Sequence, residues 1–186
     1  MKNVIIKENE TLVLPILWTG EESEISYEVL LSGQGASVAI LGLLLGKDDA
    51  ALQIKINVTH AAKNTKSEVI LKGALTDAAK VNFEGLVKIN HGATGTNAWL
   101  AAHLLLLSDK SKGRAIPSLE ILENDIKAGH ATTVGRINDI EMFYLMSRGL
   151  SREQAKQFVV QGFLASILEK FPREFQQKAK KNVRLS

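Results

Sequence analysis

The chain has 186 residues, a length that suits one domain, or one with a small appendage, and can bury a sizeable core. Hydrophobic residues make up 45% and charged residues 23%, a globular balance that excludes wholesale disorder. Lys and Arg number 23 against 20 Asp and Glu, too small a surplus for a histone-like nucleic-acid binder. Cysteine is absent, so the chain alone cannot build a disulfide, a zinc ribbon, a thiol nucleophile or a cysteine-ligated cluster.

The start, Met1 to Glu8, is too charged for a signal peptide. The longest apolar stretch, Ala36 to Gly46, falls short of the roughly 20 residues that cross a bilayer. It runs into Lys47-Asp48-Asp49 and reads as a buried strand pair. A soluble, cytoplasmic protein is expected, with no membrane partner.

Short strands are predicted over Asn3–Ile6, Thr11–Leu17, Ile25–Leu31, Ala36–Leu45, Ala51–Thr59, Ser67–Leu75, Lys80–Ile89, Ala115–Ile121 and Ile126–Ala128. Leu52, Ile54, Ile56 and Val58 alternate with Gln53, Lys55, Asn57 and Thr59, the period of a half-buried strand. Turn clusters separate the strands, among them Ser32-Gly33-Gln34-Gly35 and Ala62-Lys63-Asn64-Thr65-Lys66. No helical pattern lies between them, which excludes a doubly wound sheet and leaves a sandwich, a barrel or a solenoid. Asn97 to Leu107 suits either a helix or a buried extended run, and local reasoning leaves it open.

After residue 138 the pattern becomes helical. Asp139 is placed as the cap of a short helix with Ile140, Phe143, Tyr144 and Met146 turned inward, and Gly149 as its left-handed stop. Ser151-Arg152-Glu153-Gln154 reads as a capping box. Ala155, Phe158, Val159, Gly162, Phe163, Ser166 and Ile167 form the expected inward stripe of the next helix. Phe171-Pro172 ends it, Pro172 opens a last helix, and the basic tail Lys178 to Arg184 is expected to fray.

Chemistry is sparse. The four histidines, His60, His91, His103 and His130, stand outside any H-E-x-x-H or Cys/His spacing. His130 sits in Gly129-His130-Ala131-Thr132-Thr133-Val134-Gly135, read as the junction between strands and helices. Glu120, Glu123 and Asp125 are potential metal ligands or an acid/base pair, although carboxylates beside Lys127 suit a solvated edge equally. No nucleophile elbow, phosphate loop or dinucleotide fingerprint is present. The basic tail lacks the interleaved aromatics of a nucleic-acid binder. The aromatics Phe143, Tyr144, Phe158 and Phe163 suit docking on the protein's own body or on a partner.

One ordered set of motifs is more specific. Phe83-Glu84-Gly85-Leu86-Val87-Lys88-Ile89 and Ala93-Thr94-Gly95-Thr96-Asn97-Ala98 precede Leu105-Leu106-Leu107-Ser108. Pro117-Ser118-Leu119-Glu120-Ile121 follows, then Asn124 to Ile137 with His130, then Phe143-Tyr144-Leu145-Met146-Ser147-Arg148-Gly149-Leu150. Over about residues 50–170 this order resembles the SufB/SufD family of the SUF iron–sulfur cluster assembly system, its SufD branch in particular. The resemblance implies a mainly β fold: a right-handed parallel β-helix over residues 1–137 and a small C-terminal α-helical domain over 138–186. It implies that 97–107 is extended. It further implies a subunit that is not an enzyme, that pairs through its β-helix with itself or a SufB-like subunit, and that docks a SufC-type ABC ATPase.

Phe143, Tyr144 and Arg148 are the implied ATPase contacts, and His130 the implied contact to iron or a cluster. The cysteine common in SufD two positions earlier is Ala128 here, and SufB's cysteine has no counterpart. No stable cofactor is therefore expected on this chain alone, only a cluster held transiently with a partner. The alternative is a small metal-dependent enzyme using His130 with Glu120, Glu123 or Asp125.

Overall fold

The structure, a computed structural model, describes residues 1–183. Ten strands come first: β1 (Lys2–Ile6), β2 (Thr11–Trp18), β3 (Glu24–Leu31), β4 (Ser37–Gly46), β5 (Ala51–His60), β6 (Lys66–Leu75), β7 (Lys80–Ile89), β8 (Thr96–Leu106), β9 (Lys112–Ile121) and β10 (Ile126–Arg136). Three helices follow: α1 (Asp139–Ser147), α2 (Arg152–Leu168) and α3 (Arg173–Val183).

Odd-numbered strands form one five-stranded sheet, β1-β3-β5-β7-β9, and even-numbered strands the other, β10-β8-β6-β4-β2. Every pairing is parallel. The chain thus winds from one sheet to the other and back, a parallel β-solenoid of about five turns. Ala51 pairs with Lys80 and Lys80 with Lys112, so one coil takes roughly 30 residues, a solenoid period. The extended alternative for 97–107 is the observed one, as β8.

Alternation explains the core. Leu52, Ile54, Ile56 and Val58 turn inward with Val81, Phe83 and Val87 stacked above them and Val69 and Leu71 facing from the opposite sheet. The corners are built from residues that tolerate a left-handed backbone. Asn9, Gly35, Asn64 and Gly95 have φ of 55°, 72°, 57° and 71°. Their N–H groups donate in turn to the carbonyls of Gln34, Lys63, Thr94 and Asp125 on the next coil. This ladder stitches one edge of the solenoid. Gly95 is required twice over, since a Cβ there would also stand 2.2 Å from Oδ1 of Asn64.

The stretch 36–46 is one strand, β4, rather than a pair. Its inward residues Val38, Ile40 and Leu44 enter the solenoid core, while Leu41, Leu43 and Leu45 on the other face lie beneath the helices. Burial on both faces is what a continuous apolar run signals in a parallel sheet. Val160, Leu164, Ile167, Leu168, Phe171, Ala179 and Val183 supply the covering layer. Lys72 fastens α2 by donating from Nζ to the Phe163 carbonyl at 2.6 Å, and Lys170 pairs with Glu68 at 2.6 Å.

Several helical expectations change. Asn138, not Asp139, caps α1, its side chain accepting from the Ile140 N–H. Only Met142 of α1 is buried, while Ile140, Phe143, Tyr144 and Met146 are exposed. The buried stripe of α2 is Ala155, Val160, Leu164, Ile167 and Leu168, so Phe158, Gly162 and Ser166 face away. That rotation follows the apolar outer face of β4, a partner no local pattern reveals. The described part of the basic tail is helical, with Ala179 and Val183 buried against the same layer; Arg184 lies outside the described residues. The capping box at Ser151 and Gln154 is present. Gly149 has φ 95°, with Leu150 N–H donating to Leu145 and Gly149 N–H to Met146, the two bonds of a Schellman stop.

Candidate functional site

His130 is not at a junction. It lies in the middle of β10, which continues through Thr132, Thr133 and Val134 to Arg136. Gly129 serves close packing: a Cβ there would meet the Trp99 indole at 2.6 Å. Trp99 is on the outer face of β8, so Gly129 is outward and His130 inward. Register agrees, for His130 pairs with Leu100, a core residue, and Ala128 and Thr132 pair with Ala98 and Ala102.

His130 therefore belongs to the lumen face of the last coil, where no further coil among the described residues covers it, and it is exposed. Opposite stands β9, whose Gly113, Ala115, Pro117 and Leu119 are in register with inward residues of β7. Ala115, Leu119, Ile126 and Ala128 pack partly against the core. The result is an apolar end face bearing one imidazole, bounded by two strands that each pair on one side only.

The two edges differ. Lys112 N–H donates to Ala79 and Leu122 N–H to Ile89, so even-numbered residues of β9 bond β7 and odd-numbered ones face the free edge. Pro117 stands at a free-edge position, where its missing N–H removes a donor without weakening the ladder. Along β10 no proline interrupts eleven residues. β10 thus keeps an uninterrupted free edge.

The carboxylates do not join His130. Glu120 points to the outer face and pairs with Lys88 at 2.7 Å. Glu123 accepts from the N–H groups of Asn124 and Gly92, each at 2.9 Å, which holds it below the ordinary carboxylate range and ties two coils together. Asp125 contributes its backbone carbonyl to the corner ladder. Among the described residues no three metal-ligating side chains converge. His91 lies in an exposed turn, and His103 bonds Thr133 through Nδ1 at 2.8 Å. Burial, then the Lys72 charge, lowers the His103 pKa.

The second surface is α1. Ile140 is 78% exposed, Phe143 73% and Tyr144 55%, with the Arg148 guanidinium 5.3 Å from the Tyr144 ring. Phe158 of α2 is also exposed, and it lines a groove with Leu105, Ile137, Val159 and Phe163. Sequence reasoning named Phe143, Tyr144, Phe158 and Phe163 as docking aromatics, with Arg148 as a further contact, while also turning Ile140, Phe143, Tyr144 and Phe158 inward.

The sequence is similar to known proteins. Residues 8–163 match the family described as SUF system FeS cluster assembly, SufBD core domain. The iron–sulfur cluster assembly protein SufD of Bacillus subtilis is 36% identical over 144 residues, covering 77% of this chain and 33% of that protein. An iron–sulfur cluster assembly SufBD family protein of Mycobacterium leprae is 38% identical over 160 residues, 81% of this chain and 41% of its own length. The chain thus spans between a third and two fifths of these relatives. No described helix is long and apolar enough to cross a membrane. The match across most of the solenoid and into α2 makes this chain a member of the SufB/SufD family of iron–sulfur cluster assembly proteins.

Proposed function

We propose that the chain is a SufD-like, non-catalytic subunit of a cytoplasmic iron–sulfur cluster assembly complex. Its helix α1 docks a SufC-type ABC ATPase through Phe143, Tyr144 and Arg148. Its last coil pairs, along β10, with a second copy or with a SufB-like subunit. The observation that carries this reading is α1 itself, in which Met142 is the one buried residue while four large apolar side chains stay in solvent. Contiguous exposed apolar surface of that kind marks an interaction site.

The cluster is cargo in this reading. One imidazole and no thiolate make an insufficient ligand set where four cysteines, or two with two histidines, are usual. His130 contributes one neutral nitrogen from the lumen face, and the paired subunit supplies the remaining ligands.

The test is co-expression with a SufC-type ATPase, followed by size-exclusion chromatography with light scattering. A stable complex is expected for the native chain and none for Phe143→Ala combined with Arg148→Glu. An unchanged complex in that variant refutes the docking assignment. Removing residues 139 onward is the poorer experiment, because it would uncover Leu41, Leu43 and Leu45. Metal analysis of protein purified without chelator addresses the alternative of a metal enzyme, for which stoichiometric metal is required.

A further inference from the structure

The corner where β5 turns into β6 holds a polar cluster that the proposed function does not use. His60 is 0% exposed, and Thr65, Ser67 and Thr96 beside it are buried as well. Its Nδ1 lies 2.8 Å from Oγ1 of Thr65, and its Nε2 2.8 Å from Oγ of Ser67. Thr65 reaches the Ala62 carbonyl at 3.2 Å and Oγ1 of Thr96, one coil on, at 3.0 Å. Thr96 in turn donates to the Ala93 carbonyl at 2.8 Å.

Each hydroxyl has a single proton to donate. Thr96 gives its proton to Ala93, so the single proton on Thr65 lies toward Thr96 or is shared with the Ala62 carbonyl. Thr65 is therefore the acceptor toward His60, which makes Nδ1 the protonated nitrogen. Nε2 of the neutral ring is left as an acceptor, and Ser67 donates to it. The surroundings admit no second ring proton. Leu31 and Ile89 flank His60 in register, and Val38 and Ala98 flank Ser67. An imidazolium would turn the Ser67 hydroxyl proton toward those apolar groups.

Among the described residues no charge compensates nearby. On the surrounding turns and strands Lys63, Lys66 and His91 are exposed, and Glu68 is engaged on the outer face with Lys170. Burial accordingly holds the His60 ring at about 4, far below its ordinary 6.5.

We propose that His60, Thr65, Ser67 and Thr96 form an acid-released clasp between successive coils, closed while the imidazole is neutral and opened by its protonation. In the open corner His60 regains its ordinary proton affinity. The closed form is then fully favoured above pH 6.5 and loses that advantage as pH falls toward about 4. Between those limits the opening equilibrium rises about tenfold per pH unit, one proton being taken up on opening.

Hydrogen exchange of the full chain, followed by mass spectrometry from pH 7.5 to 4.5 and corrected for intrinsic rates, tests the clasp. Protection in segments 58–68 and 88–98 should fall about tenfold per unit below pH 6.5. The non-titrating variant His60→Gln should show no such slope. Equal loss of protection throughout the solenoid, or the same slope in the variant, overturns the proposal. Should His60→Gln fail to fold, a nuclear magnetic resonance titration of the wild-type imidazole decides: a ring still neutral at pH 5 is expected, and a midpoint near 6.5 in the folded protein overturns the clasp.

Discussion

The indole of Trp99 occupies the space that a side chain at Gly129 would need, with Cζ3 only 2.6 Å from where that Cβ would stand. The two residues are register partners on β8 and β10, and their contact sets which face of the terminal strand His130 occupies. Gly129→Ala should therefore destabilise the protein by about 1–3 kcal/mol, as overpacking does. The low end is favoured because Trp99 is 43% exposed and its ring has solvent to swing into. Urea midpoints check this. In a Trp99→Ala background the same substitution should cost nothing, and an equal loss in both backgrounds would contradict the contact.

Leu164 is the centre of the layer that binds the helices to the solenoid, with 0% exposure among Leu41, Leu43 and Ile167. Leu164→Ala should cost about 2–5 kcal/mol, the lost transfer energy plus the cavity left behind. Hydrogen exchange should show α2 and α3 loosening before the strands. A loss under about 0.5 kcal/mol, the scale of ordinary surface changes, would mean that the layer is not a core.

What could be read from the sequence divides along the range of the forces involved. Local devices were legible: the alternation of β5, the capping box at Ser151 and the left-handed stop at Gly149 depend on residues within a few positions. The phase of α2 was not, because stripes through Phe158 or through Val160 satisfy helical spacing equally, and Leu41 and Leu43 decide between them from far along the chain. β10 was cut short for a related reason. Gly129 answers Trp99 on the previous coil, whereas glycine in isolation reads as a turn. The solenoid came from family resemblance, although a faint repeat was present in Asn9, Gly35, Asn64 and Gly95. His130 was picked out as a site residue, but its placement on an open lumen face depended on register. The exposure of Phe143 and Tyr144 was open to either reading until Met142 proved to be the anchor.

Pro117 provides a test of the terminal edges. Its position on the free side of β9 predicts that Pro117→Val leaves the β7–β9 ladder intact while adding a donor to an exposed strand. Self-association should rise with concentration in light scattering, with thermal stability little changed. If the variant stays as dispersed as the native chain, the proline is not what guards that edge.

Met142 and Phe143 are adjacent yet differ in burial, and that contrast is the sharpest check on the proposed docking surface. Met142 is 9% exposed and anchors α1, so Met142→Ala should cost about 2–5 kcal/mol. Phe143 is 73% exposed, and its replacement by Ala should change stability by no more than about 0.5 kcal/mol. Binding should follow the reverse order. Phe143→Ala removes an aromatic anchor from the free surface and should weaken the ATPase complex by about tenfold or more, the cost of a contact worth over 1 kcal/mol. Denaturant melts and titration calorimetry on the same two variants separate the cases. Were Phe143→Ala to destabilise the fold as much as Met142→Ala, its ring would be packing against the body, and the argument from exposure would lose its foundation.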